Sequence, residues 1–328
     1  MKALIYQGAG RMGWCDSPDP VAGDGESLVR VHHSGICGSD MHAFLGHDER
    51  RPAPLILGHE ASGIVIDGPA QGQRVTINPL VTCGTCPACR SGRGNLCANR
   101  QILSMPPRQG AFAELVAVPH RNLVAVPDGV DLANAALCEP LACGWHAVRL
   151  GLNALGQIPD TLRCAVLGGG TIGVGAALAL HAAGVAEITL VEPNPIRRHR
   201  LAAMPEFTTM GSDQLPDSSS DMVIDGVGHV ATRAAACAAV RPGGAILHIG
   251  LGEATGGLDV RRMTLQEITF IGTYTYTDRD FRDTAQAIFD GRLGTLGWVD
   301  HRPLSDGPAA FDDIRAGRCA APKIMLTP

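Results

Sequence analysis

Lysine is nearly missing from this chain. Only Lys2 and Lys323 occur among 27 basic residues, the rest being arginine. We read that skew as genomic composition, not as function. A basic excess is missing too. The formal net charge is -5, which gives no general pull towards nucleic acid or an anionic membrane. No long apolar run goes uninterrupted. The longest stretch, 165–191, is broken by several glycines, His181 and Glu187, and that punctuation favours strand, turn, helix and strand over a membrane span. The run Met1–Tyr6 soon meets Gly8 and Gly10. It is too short for a secretion signal and reads as a strand of a soluble, cytoplasmic protein. An even cysteine count is also absent. Eleven cysteines, several in tight local spacing, argue for metal binding over a disulfide framework.

What is present divides in two. A length of 328 residues suits two domains. Up to about residue 137, short apolar runs recur between Gly, Pro and Asp clusters: 3–6, 27–32, 63–66, 74–77, 111–118 and 123–126. Such spacing predicts a β-rich barrel or sandwich. A helical stretch at 131–150, broken by Pro140, follows. From Leu162 strands alternate with helices, which predicts a parallel sheet of β-α-β units. The segment 201–220 is too short and polar for a strand plus a full crossover helix, so one helix there is expected to be trimmed or missing. The last forty residues are too few for a domain and are expected to return to the first. The expected bounds are therefore 1–140, completed by 291–328, and 141–290.

Three motifs carry chemistry. Cys83, Cys86, Cys89 and Cys97 form C-x-x-C-x-x-C-x7-C, and four thiolates on one loop can close a tetrahedral zinc site. An iron–sulfur cluster fits the ligand type and a zinc ribbon for nucleic acid fits the spacing, but no basic or aromatic stripe accompanies the loop. Gly168, Gly170 and Gly173 fit G-x-G-x-x-G after an apolar strand and, with Thr171 and Ile172, open an amphipathic helix. That context predicts a dinucleotide pyrophosphate on a helix N-terminus. Glu192 ends the next strand, where a carboxylate bonds the ribose hydroxyls and argues for NAD(H). Arg197 and Arg198 follow and could tolerate NADP, or form a solvated helix face. The third motif is Cys37 with His59 and Glu60, all zinc ligand types. Glu139 lies at the junction of the two halves and could complete such a site, or serve as a helix N-terminal acid beside Pro140.

Taken together, Gly35-Ile-Cys-Gly-Ser-Asp, Gly58-His-Glu, the four-cysteine loop, Glu139-Pro-Leu and the Gly168–Gly173 turn resemble the zinc-dependent medium-chain dehydrogenase/reductase family. The likeness covers essentially the whole chain and is greatest to the polyol branch. It implies an α/β protein with a GroES-like catalytic domain and a Rossmann domain, two zincs per chain, NAD(H), and a homodimer or homotetramer. It implies hydride transfer between NAD and a secondary alcohol such as a polyol, sugar alcohol or sugar acid, with threonine or a simple alcohol as the alternative. Cys37, His59, Glu60 and Glu139 would hold the catalytic zinc, which lowers the pKa of the substrate hydroxyl. Ser39 would receive the hydroxyl proton and pass it towards the nicotinamide ribose and then His42, which releases it to solvent. The other reading of those two is a turn serine and a surface histidine. Trp145 departs from the branch, which usually has a smaller residue there. Phe44, Leu45, His47, Met105, Trp145, Tyr274 and Tyr276 are candidates for the substrate wall by their nearness to the motifs. Phosphorylated substrates are not expected, since no Lys/Arg cluster adjoins the site, although Arg50 and Arg51 are close in sequence. The rivals are an NAD(P)-binding sensor without turnover and a reductase that needs no catalytic metal.

Overall fold

The ten residues Glu26–Gly35 form the strand on which the first unit is built. Val29 and Val31 point inward on either side of exposed Arg30, the period of two that a half-covered strand requires. In the computed structural model, which describes residues 1–328, this strand lies inside a seven-stranded sheet. Its order is Leu123–Ala125, Arg74–Ile77, Glu60–Asp67, Glu26–Gly35, Lys323–Thr327, Val299–Pro303, with Leu115–Pro119 also paired to the central strand. Val29, Val31, Val65, Val75 and Val116 make one apolar core and Leu4, Phe44, Phe112 and Phe311 belong to another. The closing strand comes back some 290 positions to reach its partner, as Met325 pairs with Gly35.

This unit comprises Met1–Glu139, Thr277–Asp290 and Val299–Pro328. The bounds differ from the expected ones at two places. Residues Thr277–Asp290 join the first unit because Phe289 packs on Val126, Leu132 and Ala135 and the Cys138 thiol donates to the Phe281 carbonyl. Residues Gly291–Trp298 join the second, where Glu206 accepts from the amide of Thr295. Pro140 does not break a helix. The break falls at Leu137, between Leu132–Ala136 and Cys138–Leu155. Pro140 sits in the first turn of the second helix, where a missing N–H costs nothing.

The second unit holds a six-stranded sheet in the order Thr208–Met210, Glu187–Val191, Arg163–Leu167, Ser220–Asp225, Val240–His248, Thr269–Gly272. All its pairings are parallel, as the β-α-β pattern predicts. The order reverses beside Arg163–Leu167, so the crevice at that strand's carboxyl end is where a nucleotide binds in such sheets. Between 201 and 220 a three-residue strand is followed only by the short turn Ser212–Gln214. The crossover helix expected to be trimmed or missing is absent. No helix is long and apolar enough to cross a membrane.

Candidate metal and coenzyme sites

The four-cysteine loop needs nothing beyond its own neighbourhood. The turn at Gly84, the short helix Pro87–Arg90 and the turn Gly94–Leu96 fold four thiols into one group, all within 4.8 Å. Sulfur separations are 3.5 Å for Cys86–Cys89, 3.5 Å for Cys83–Cys97 and 3.9 Å for Cys83–Cys89. Four sulfurs at about 2.3 Å from a tetrahedral zinc would stand about 3.8 Å apart, so the donor set fits that ion. Hydrogen bonds from Thr85 and Cys86 bring the Cys83 thiol down to about 5. Burial and the neighbouring thiols push Cys89 up to about 11.

The second group is assembled from distant pieces. Cys37 caps the helix Gly38–Phe44, while His59 and Glu60 lead into the strand Glu60–Asp67. Their ligand atoms lie within 4.8 Å of one another, and His59 and Glu60 are buried. A thiol, an imidazole and a carboxylate suit zinc and leave a coordination position for substrate. Asp40, fully buried, accepts from the Cys37 amide at 3.0 Å and stands 3.5 Å from His59 Nδ1. Ser104 Oγ also meets that nitrogen, at 3.3 Å. Burial disfavours a charged His59, but the charges of Asp40 and Cys37 outweigh it and hold the imidazole well above its ordinary value.

Sequence reasoning missed Lys323. Its ammonium, buried, donates to both Glu60 oxygens at 2.7 and 2.6 Å and to the Ile36 carbonyl at 2.7 Å. Burial opposes its charge, yet Glu60 and Cys37, with a contribution from Glu139, raise its pKa above the ordinary lysine value. The carboxylate sits so close to Gly35 that a Cβ there would lie 2.1 Å from Glu60 Oε2. Glu139 is buried at the second position of its helix. The one signal available was rarity: a chain with two lysines places one of them in an apolar terminal strand.

Ser39 and His42 both lie on the helix Gly38–Phe44. Three residues apart, they share a face. Ser39 is half-buried and His42 exposed, the order that a path from a site to water requires. The proposed substrate wall needs correction at two positions. Phe44 is 2% exposed and packs against Phe311 with the rings tilted and 5.2 Å between centroids, and Tyr276 is fully buried. Both are core residues; nearness to a motif in sequence does not decide which way a side chain faces.

In the second unit the glycine turn behaves as its spacing predicts. Gly168 adopts φ +97°, and a Cβ on Gly173 would meet the Gly168 carbonyl at 1.7 Å, so strand and helix touch there. A Cβ on Gly170 would meet nothing within 4 Å, which leaves room for a ligand. Thr171 and Ile172 start the helix Thr171–Ala182 from the Gly170 cap. Glu192, buried at the end of its strand, accepts from the amides of Gly169 at 2.9 Å and Asn194 at 2.7 Å. Arg197 is not on a solvated face: its guanidinium lies 3.5 Å from Glu192 Oε2. Arg198 donates to the Glu192 carbonyl at 2.7 Å.

Comparison with known proteins agrees with this layout. The alcohol dehydrogenase GroES-like domain family matches residues 23–128, and the zinc-binding dehydrogenase family matches residues 171–290. The chain is 30% identical to L-galactonate-5-dehydrogenase of Escherichia coli K12 over 92% of its own length and 91% of that protein. It is 30% identical to sorbitol dehydrogenase of Bacillus subtilis over 85% of its length and 83% of the relative. A solved structure from Sinorhizobium meliloti 1021, assigned to the zinc-binding dehydrogenases and bound to NADP, is 27% identical, with a TM-score of 0.88 over 100% of this chain and 99% of that one. A chain that carries both family patterns in this order, at 30% identity across 91% of such an enzyme, belongs to the zinc-dependent medium-chain dehydrogenases, on their polyol side.

Proposed function

We propose that this enzyme oxidises a secondary hydroxyl of a polyol or sugar acid with NAD, and that it does so at the Cys37–His59–Glu60 group. The observation that carries the reading is the meeting of thiol, imidazole and carboxylate within 4.8 Å, one turn away from a serine and an exposed histidine on the same helix face. Cys37 and His59 hold a zinc, with Glu60 and Glu139 as direct or exchanging ligands; Cys83, Cys86, Cys89 and Cys97 hold a second. Bound zinc supplies Lewis-acid activation of the substrate hydroxyl, and bound NAD supplies the hydride acceptor. The residues do the rest. Asp40 and Ser104 fix the His59 ring through Nδ1. Lys323 offsets part of the negative charge that Cys37, Glu60 and Glu139 bring to one buried place. Ser39 takes the hydroxyl proton and His42 releases it to solvent. Gly168, Gly170, Thr171, Ile172 and Gly173 seat the pyrophosphate, and Glu192, flanked by Arg197, binds the adenosine ribose.

Relatives named for L-galactonate and sorbitol support the substrate class. Eleven cysteines with no disulfide among them suit a reducing compartment, the cytoplasm. The edge strand Thr269–Gly272 has one paired side only, which supports a homodimer or homotetramer. The test is NADH formation, followed at 340 nm, over a panel of polyols, aldonates, threonine and simple secondary alcohols, repeated with NADP. Turnover of polyols or aldonates is the expected result. Turnover of threonine alone, or of nothing despite two bound zincs, would reject the substrate class or the enzyme reading respectively.

A further inference from the structure

Arg51 is buried, with its side chain 2% exposed. Guanidinium groups are seldom fully buried unless each edge is used, and here every edge is. Nε donates to the Ser104 carbonyl at 3.0 Å. Nη1 donates to Asp48 Oδ2 at 2.8 Å and to the Ser39 carbonyl at 3.2 Å. Nη2 donates to Ser39 Oγ at 3.4 Å. One side chain thus grips the relay serine twice. It also grips Ser104, whose backbone is left-handed at φ +67° and whose hydroxyl meets His59 Nδ1 at 3.3 Å. Residues held in such a conformation persist only when their surroundings over-determine them.

We propose that Arg51 is a positioning residue for proton transfer, wiring the Ser39 hydroxyl so that it has one way in and one way out. The inference rests on the proposed role of Ser39. A serine hydroxyl has one donor and two acceptor positions, and a guanidinium can only donate. With Nη2 on one lone pair, a single acceptor position is left for the substrate hydroxyl, and the serine's own proton must point away from Arg51. In the forward reaction the substrate O–H bond breaks and a new O–H bond forms on Ser39 as Ser39 gives up its original proton towards His42. Bound NAD would supply the two-electron acceptor, taking up the hydride that the carbinol carbon gives up, so the reaction balances as alcohol plus NAD to ketone, NADH and the proton released through Ser39. The fixed positive charge of Arg51 favours the moment when negative charge passes through Oγ. Lysine could keep the charge but not span Ser39, Asp48 and Ser104 together.

The test is a double-mutant cycle on the zinc-loaded enzyme, with sorbitol and L-galactonate as probe alcohols: Ser39→Ala, Arg51→Met, Arg51→Lys and each arginine variant combined with Ser39→Ala. Zinc content and the thermal midpoint are measured alongside. Expected for Arg51→Met is a kcat loss of about tenfold with both KM values within about twofold, and a larger solvent deuterium isotope effect. In the Ser39→Ala background, already slower by about 100-fold, the same change adds no further loss. Arg51→Lys recovers part of kcat and carries the cycle if Arg51→Met does not fold. A Ser39→Ala enzyme with normal kcat overturns the relay, and this inference with it. A slow Ser39→Ala beside a normal Arg51→Met, or losses that multiply in the double variant, overturns the role of Arg51 and leaves the relay standing.

Discussion

The two cysteine-bearing groups are built in opposite ways. The loop from Cys83 to Cys97 collects four like donors inside fifteen residues, with two short helical turns to aim them. The Cys37 group takes three unlike donors from two segments, buries two of them, His59 and Glu60, and takes its counter-charge from Lys323, 263 positions beyond Glu60. Local, homogeneous and partly exposed sites hold shape. Dispersed, mixed and buried sites can leave a ligand position open and tune what enters it. The first should therefore answer to stability measurements, and the second to kinetics.

The largest effect that separates them is expected from Cys37→Ala. Loss of one ligand should cut kcat/KM by about 10³-fold or more, while metal analysis still finds the zinc of the four-cysteine loop. The mirror variant, Cys89→Ala, should release the loop metal and lower the thermal midpoint, with kcat per folded molecule kept within about twofold. Equal loss of activity in both would erase the distinction. Next in size is Lys323→Met. Removing the ammonium leaves the Glu60 carboxylate buried without its partner, a loss of about 3–5 kcal/mol, read by urea unfolding. A stability change below about 1 kcal/mol would mean that Glu60 finds compensation elsewhere.

A smaller effect concerns protons at the loop. The folded chain holds Cys83 at about 5, against an ordinary thiol value of 9.0. A depressed folded value means that this thiolate's contribution is complete above 9.0 and lost as the pH falls through about 5. Protons compete with metal once Cys83 is protonated, so metal should leave the loop as the pH falls below about 5, followed with a zinc-sensitive dye. Cys89, pushed up to about 11, is still a thiol at neutral pH, so metal uptake should release protons. Calorimetry in two buffers of different ionisation enthalpy measures that release, and a heat independent of buffer would contradict it. The smallest effect lies in the second unit. Replacing Glu192 by Ala should raise the KM for NAD about tenfold and narrow the gap to NADP.

The same contrast explains what could be read from the chain. The loop and the Gly168–Gly173 turn are local, so spacing predicted the first geometry, and spacing with the flanking strand and helix predicted the second. Strand-helix alternation predicted the parallel sheet, and the shortness of 201–220 predicted its missing helix. Cys37, His59 and Glu60 were legible as ligand types, but Lys323 was not, because pairing across the sheet leaves no trace in local spacing. Arg51 was noticed only as a neighbour of the site, since nothing in a sequence says that a guanidinium turns inward. Phe44 and Tyr276 went astray for the converse reason: they adjoin motifs yet face the core.

The strand Lys323–Thr327 has a consequence in time. During synthesis residues 37–60 leave the ribosome long before Lys323 exists. For that interval Glu60 lacks the ammonium that finally holds both its oxygens. The reactive centre is thus closed by the last strand to be threaded into its sheet, between Glu26–Gly35 and Val299–Pro303. A nascent chain can fold its cysteine loop early, but it completes the charge balance of its chemistry only once Lys323 has been made and its strand has paired.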